Sequence, residues 1–340
     1  VISRALSLVL LLGVLSACSD GPARPDAPLR ILLLGDSVTQ GSTGDWTWRY
    51  RLWEHLRDDD VDLVGPDQRV AGPPPAPPNM EYADPDFDRD HAGRWGKSFE
   101  DTDWTITQLV ETFHPDVVVE MLGINDVVWM GEPASALLDH ASDLVEEAQA
   151  ADPDVDIVLG ELPQTWYPAV PAYNAGLPGL AEDLGTEDSR IVVADTTAEG
   201  FTKNVDTYDP VHPSASGEVK IAAGIADALA TLGIGDPYPT PLPSVPPVPT
   251  RPATLHVLPG LSSALLSWDA PPGGTAAYVW VRDVTRGESW QRLPVGVAGP
   301  SWTAQGLVGG DTYEFRVQMA KGTSVSDVFS NVVSVEPRVG

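Results

Sequence analysis

The chain has a single cysteine, Cys18, in 340 residues. No disulfide can form within it, so a hydrophobic core has to hold the fold. Positive charge is also scarce: 20 Lys and Arg stand against 49 Asp and Glu, for a formal net charge of −29. Such a surface repels phosphate backbones and anionic headgroups, which excludes nucleic acid as a partner and fits solubility outside a cell. No apolar run approaches the ~20 residues of a membrane-spanning helix; the run at the N-terminus covers only Ala5–Leu15. The 33 prolines follow no Gly-X-Y period, which excludes a collagen-like chain. What is present is 42% hydrophobic residues, enough for a real core, in a length that suits two domains.

The first residues, Val-Ile-Ser-Arg, precede that apolar run and then Ser16-Ala17-Cys18. A short basic region, an apolar stretch and small residues describe a signal peptide over residues 1–17. Leu15-Ser16-Ala17-Cys18 resembles the bacterial lipobox. That resemblance implies lipidation of Cys18, with residues 18–28 as a tether. The expected location is the outer face of a bacterial cell membrane as a lipoprotein, or the medium if the cysteine is incidental.

Residues 29–235 alternate strand and helix. Apolar segments Ile31–Leu34, Val61–Val64, Val117–Leu122, Ile157–Leu159 and Ile191–Val193 predict five strands. Helices are predicted over Trp46–Leu56, Thr105–Phe113, Pro133–Ala151, Ala172–Leu184 and Ala215–Leu232. Short buried strands separated by helices imply a parallel sheet covered on both faces. The long connection between Val64 and Thr105 is expected to form a rim or lid. Its aspartates 84, 86, 88 and 90 lack the ligand pattern of a calcium loop and read as solvated.

Residues 236–252 form a proline-rich linker, with eight prolines between Pro237 and Pro252. Extended, it reaches about 50 Å. Residues 253–338 lose helical periodicity and show short strands between turns such as Pro271-Pro272-Gly273-Gly274. The run Leu307–Gly310–Tyr313–Phe315–Val317 with Trp268 resembles a fibronectin type III sandwich. The resemblance makes Tyr313 the tyrosine corner and Trp268 a core residue.

Three segments carry chemistry. Gly35-Asp36-Ser37 ends the first strand, Gly123-Ile124-Asn125-Asp126 follows the third, and Asp209-Pro210-Val211-His212 precedes the last helix. Alone, each has an ordinary explanation: a helix cap, a turn, a structural histidine. Together they bring a hydroxyl, an amide and an imidazole to the edge where open parallel sheets bind ligands. A serine hydroxyl becomes a nucleophile when a base takes its proton, and that base needs a carboxylate to hold its tautomer. Asp209 stands three residues before His212.

Gly35–Gly41, Gly123–Asp126 and Asp209–His212 are similar to three blocks of the SGNH (GDSL) hydrolases, and His91-Ala92-Gly93-Arg94-Trp95-Gly96 resembles the remaining one. The resemblance implies a three-layer flavodoxin-like domain with a five-stranded sheet, ester hydrolysis, and no metal or cofactor. It implies Ser37, His212 and Asp209 as the triad. The oxyanion hole falls to Ser37, Gly96 and Asn125, with Gly93 the alternative glycine and Asp36, Gly123 and Asp126 in support. The lipase motif Gly-X-Ser-X-Gly is absent around Ser37, because Thr39 stands at its second glycine.

Trp48–Leu52, Val61–Gly65 and His91–Gly96 further resemble carbohydrate esterases of the acetylxylan type. The implied substrate is a short-chain O-acetyl group on a polysaccharide. Trp46, Trp95, Trp104, Trp129 and Trp166 are candidates for sugar stacking, though most are expected in the core. Two alternatives stand beside this: a lipid esterase such as a lysophospholipase, and a non-catalytic glycan-binding protein of the cell surface.

Overall fold

The computed structural model describes residues 27–72, 76–247 and 251–339. The expected signal peptide, Cys18 and most of the tether lie outside the described residues. No described helix is long and apolar enough to cross a membrane.

The N-terminal domain is built on a parallel sheet. Its strands are β1 (Leu29–Gly35), β2 (Val61–Val64), β3 (Ala92–Gly93), β4 (Val117–Met121), β5 (Asp156–Gly160) and β6 (Ile191–Ala194), in the order β2-β1-β4-β5-β6. This is the flavodoxin-like order. The sheet has six strands rather than the expected five, because β3 pairs with the last two residues of β1 (Leu34↔Ala92, Gly35↔Gly93). Two residues are too few to leave a readable pattern.

The uninterrupted apolar sequence of β1 follows from burial on both faces. Leu32 and Leu34 enter the core under α3 (Ile106–Phe113), α4 (Ala134–Ala151) and α5 (Val170–Leu184). Ile31 and Leu33 enter the core under α2 (Trp48–His55) and α6 (Ala215–Thr231). Thr105 and Gln108 form a capping box that starts α3, and Pro133 stands at the N-cap of α4.

The long connection after β2 forms a rim with its own small core of Val70, Tyr82 and Phe87 packed on Tyr50. Asp86 is exposed as expected, but two of the four aspartates depart from a solvated loop. Asp88 accepts the Leu63 N–H at 2.8 Å and Asp90 accepts from Gln68 Nε2 at 2.7 Å, so both are half-buried acceptors.

The C-terminal part is an antiparallel two-sheet sandwich. One sheet orders β12 (Ser301–Gln305), β8 (Ser263–Asp269) and β7 (Thr254–Gly260). The other orders β10 (Gln291–Arg292), β9 (Ala276–Asp283), β13 (Tyr313–Lys321) and β14 (Ser324–Phe329). Short strands β11 (Val297–Ala298) and β15 (Val333–Val335) pair with β9 and β13. Trp268 lies in the core between the sheets, and Tyr313 Oη accepts the Val308 N–H at 3.1 Å, a tyrosine-corner bond. Strands β7, β11, β12 and β14 leave little pattern in the sequence. They are short or lie at a sheet edge with exposed residues, and β7 carries Pro259.

The proline-rich segment does not leave the N-terminal domain at once. Tyr238 donates its N–H to Asp227 at 2.7 Å and packs against His55.

Arg49 ties the rim to the sheet edge from a fully buried position. Its guanidinium donates to the carbonyls of Thr39 (2.8 Å), Gln40 (3.1 Å) and Arg89 (3.1 Å) and to Tyr82 Oη (2.9 Å). Arg49→Met strands these acceptors, and at ~1–3 kcal/mol for each unmet buried group the loss should be about 3 kcal/mol or more. Urea denaturation of the purified protein measures it. Arg49→Lys should recover only part, because an ammonium cannot reproduce the planar fork.

Candidate active site

β1 delivers the first residue. Gly35 has no room for a side chain: a Cβ there would lie 2.2 Å from Thr39 Oγ1 and 2.8 Å from the Met121 carbonyl. Asp36 caps the four-residue helix α1 (Ser37–Gln40), its carboxylate accepting the Val38 N–H at 2.8 Å. The cap turns Ser37 out of the sheet at its carboxyl edge.

His212 comes from the loop before α6. Its Nε2 lies 3.0 Å from Ser37 Oγ and its Nδ1 2.7 Å from Asp209 Oδ2. A carboxylate only accepts, so Nδ1 carries the hydrogen and Nε2 is left to accept the Ser37 hydroxyl proton. The other Asp209 oxygen accepts the backbone N–H groups of Val211 (2.9 Å) and His212 (2.8 Å), which fixes the turn. Burial pushes the Asp209 carboxyl up, but the hydrogen bonds from His212 and Val211 outweigh it and hold the group below the usual carboxylate range.

Two aromatic rings lie nearly parallel to the imidazole: Trp95 at 4.3 Å and Tyr208 at 5.7 Å between centroids. The backbone N–H of Trp95 donates to Gln40 Oε1 at 2.8 Å. Gln164 and Trp166 hold the Asp209–His212 loop from the far side, donating to the carbonyls of Val211 (2.8 Å) and Pro210 (3.1 Å). Tyr208, Gln40 and Gln164 escaped sequence reasoning. Only the position of Tyr208 beside Asp209 could have signalled it.

Asn125, from the turn after β4, donates one Nδ2 hydrogen to the Lys97 carbonyl at 2.8 Å, and its amide has a second. Gly123 makes that turn with φ +116°. The Asp126 carboxylate accepts the Phe99 N–H at 3.2 Å, which draws the 93–99 segment to the same edge. Within that segment the two candidate glycines differ. The Gly93 N–H donates to His91 Nδ1 at 2.9 Å. Gly96 sits at φ +82°, and its N–H has no partner among the described residues.

The tryptophans depart from expectation, since none of the five is fully buried. The core positions go to Trp48 and Trp268 instead. Trp95 is 45% exposed beside His212, and Trp104 joins it in lining a cleft of about 550 Å³ that includes Asp209 in its wall.

A layer of fully buried carboxylates lies beneath the site. Burial pushes Asp36 up to about 7 and Glu120 up to about 8, and it raises Asp126 as well. Each has one oxygen without a hydrogen-bond partner among the described residues. No group of three His, Cys, Asp or Glu among the described residues could hold a metal ion.

A doubly wound α/β domain with Ser, His and Asp hydrogen-bonded in line at its carboxyl edge has the layout of a serine hydrolase. The chain belongs to the GDSL-like lipase/acylhydrolase family, whose model matches residues 33–219. It is similar to a carbohydrate esterase family 3 structure from Talaromyces cellulolyticus (30% identity, 60% of this chain and 97% of that one, TM-score 0.51). It is also similar to an acetyl esterase solved as a mutant with an acetate ion (29% identity, 60% and 97%, TM-score 0.51). A relative from Acetivibrio thermocellus, provisionally named endoglucanase X, is 30% identical over 118 residues, 34% of this chain. The chain spans about half (51%) of the length of that curated relative.

Glu120 gives a pH test. Its carboxyl titrates near 4.5 when exposed and is pushed up to about 8 in the fold. Between those values the folded protein keeps a proton that the unfolded chain has lost, so stability falls as pH rises through the window. Glu120→Gln should flatten that slope: the melting temperature of the variant relative to wild type should rise from pH 5 to pH 9. A constant difference would show that Glu120 is not the buried acid responsible.

Proposed function

We propose that this esterase removes short acyl groups, acetyl foremost, from the hydroxyls of a polysaccharide, with Ser37, His212 and Asp209 as its catalytic triad. The observation that carries this is His212 standing at hydrogen-bond distance from both Ser37 and Asp209. Ser37 Oγ attacks the ester carbonyl carbon as its proton passes to His212 Nε2. The carbon–oxygen bond to the sugar breaks as His212 returns that proton to the leaving oxygen. Water, deprotonated by His212, then cleaves the acyl-enzyme, releasing the acid and restoring Ser37. Asp209, kept ionised by its hydrogen bonds, holds the imidazole tautomer and stabilises its charged form. The Ser37 and Gly96 N–H groups and the second Asn125 amide hydrogen receive the oxyanion. The similarity to a carbohydrate esterase and an acetyl esterase, and the exposed Trp95 beside the imidazole, favour a sugar acetate.

Hydrolysis of p-nitrophenyl esters from acetyl to lauryl tests the reading. Activity should be confined to short chains. Ser37→Ala should lower the rate by ~10⁶, and Asn125→Ala by ~10²–10³. A long-chain optimum would move the assignment to a lipid esterase. Failure of Ser37 to react with a phosphonate probe would leave a glycan-binding protein.

A polymeric substrate stays outside the cell, so export and lipid attachment at Cys18 belong to the same proposal. Cys18→Ala should move the protein from the membrane fraction of a bacterial host to its soluble fraction. Equal partitioning of variant and wild type would remove the anchor from the proposal.

A further inference from the structure

The tip of the C-terminal sandwich is docked on the catalytic domain beside the triad. Lys321, at the end of β13, is 2% exposed and leaves its own domain. Its ammonium donates to Ser42 Oγ (2.6 Å) and the Thr43 carbonyl (3.2 Å) and ion-pairs with Asp45. Three hydrogens thus meet three oxygen acceptors, the condition under which a buried ammonium is tolerated. The same ammonium lies 4.7 Å over the ring of Tyr208, whose carbonyl accepts the Thr323 N–H at 2.9 Å. Tyr208 is the ring parallel to the His212 imidazole.

Glycines make the approach close. A Cβ on Gly322 would lie 1.9 Å from the Tyr208 carbonyl, and one on Gly44 would lie 2.5 Å from the Cα of Gly273. Backbone meets backbone across the two domains, which a loosely tethered module does not need.

The cleft beside the triad lies at this junction. Its wall includes Trp95 and Asp209 from the catalytic domain and Gly273, Gly274 and Thr275 from the loop between β8 and β9. Thr275 is exposed there, and its hydroxyl ties that loop to the next turn by accepting the Gly322 N–H at 3.1 Å. The cations in the wall are all compensated: Arg69 by Asp67, Arg94 by Asp101 and Asp103, Lys321 by Asp45. The cleft offers aromatic rings and hydrogen-bonding groups with no spare positive charge. Around it lies a chain of net charge −29.

We propose that the C-terminal sandwich forms one wall of the substrate cleft, that the cleft takes an uncharged glycan chain bearing the ester, and that Thr275 limits how much of that chain is admitted. This rests on the glycan-esterase reading above. Lys321 is a positioning residue, acting through Tyr208 and the Ser42–Asp45 turn.

The test compares full-length wild type, Thr275→Trp and Lys321→Met on p-nitrophenyl acetate and on acetylated neutral oligosaccharides of increasing length. Wild type should gain in kcat/KM as the oligosaccharide lengthens. Thr275→Trp should raise KM for the long chains with little change in their kcat. The ratio of kcat/KM on the longest chain to that on p-nitrophenyl acetate should fall about tenfold or more. Lys321→Met, which releases the wall, should flatten the same length dependence, and Lys321→Arg should restore part of it. If wild type shows the length dependence and neither Thr275→Trp nor Lys321→Met alters it, the sandwich is not a wall of the cleft. If wild type hydrolyses p-nitrophenyl acetate but none of the oligosaccharides, the glycan reading itself falls.

Discussion

The site depends on one strand having no freedom left. β1 is paired along one edge by β2 and then β3, and along the other by β4. Its side chains enter the cores on both faces of the sheet. With both edges and both faces occupied, as they also are for β4 and β5, its carboxyl end is firmly held. The sheet order also reverses there, because the chain leaves β1 toward β2 while β4 lies on the opposite side. A crevice opens at such a switch point as a matter of topology. Ser37 and Asn125 follow the two strands that flank it, and their approach needs no other device.

The same burial sorts the carboxylates by charge. Asp209 accepts three hydrogen bonds and stays ionised where the imidazole needs it. Glu120 has a single donor in the Leu122 N–H, and burial keeps it protonated to about pH 8. Burial thus favours the neutral form of Glu120, while hydrogen bonding favours the ionised form of the group that contacts His212. Pairs of carboxyls pushed apart by their surroundings recur wherever one site needs an acid and a base at a single pH. Burial favours the protonated form of Asp36, Glu120 and Asp126 beneath the sheet edge, which under the proposed mechanism lessens the negative charge opposing an oxyanion above.

Much of this was legible in the sequence. The five longer strands were readable because burial on both faces leaves runs such as Val117-Val118-Val119 uninterrupted. The helices were readable from periodicity and from caps such as Thr105 and Pro133. The residues of the Ser37–His212–Asp209 chain were readable because each sits in a short motif beside a strand end or a helix start. What stayed hidden acts through space. Tyr208, Gln40 and Gln164 are common residue types, and their partners stand 4, 55 and 47 positions away in the chain. The exposure of Trp95 was equally unreadable, since a tryptophan in sequence looks the same whether it fills a core or covers an imidazole.

The proline-rich segment joins two domains that touch each other. A stiff tether of about 50 Å reads as a device for separation. A tether equally raises the effective concentration of one domain at the surface of the other, so a modest interface suffices to hold them together. The interface here is specific: a buried ammonium with all its hydrogens matched, a Thr323–Tyr208 backbone bond, and glycines at the points of closest approach. A buried ion pair of this kind contributes little net stability, but it penalises every other register, because any slip leaves Asp45 or Lys321 buried without its partner. Register is what a cleft between two domains requires. A wall displaced by a few ångströms no longer shares the cleft with Trp95 and Asp209, whereas a spacer tolerates any displacement. The charge pairing at the junction is therefore the feature that distinguishes a working wall from a decoration.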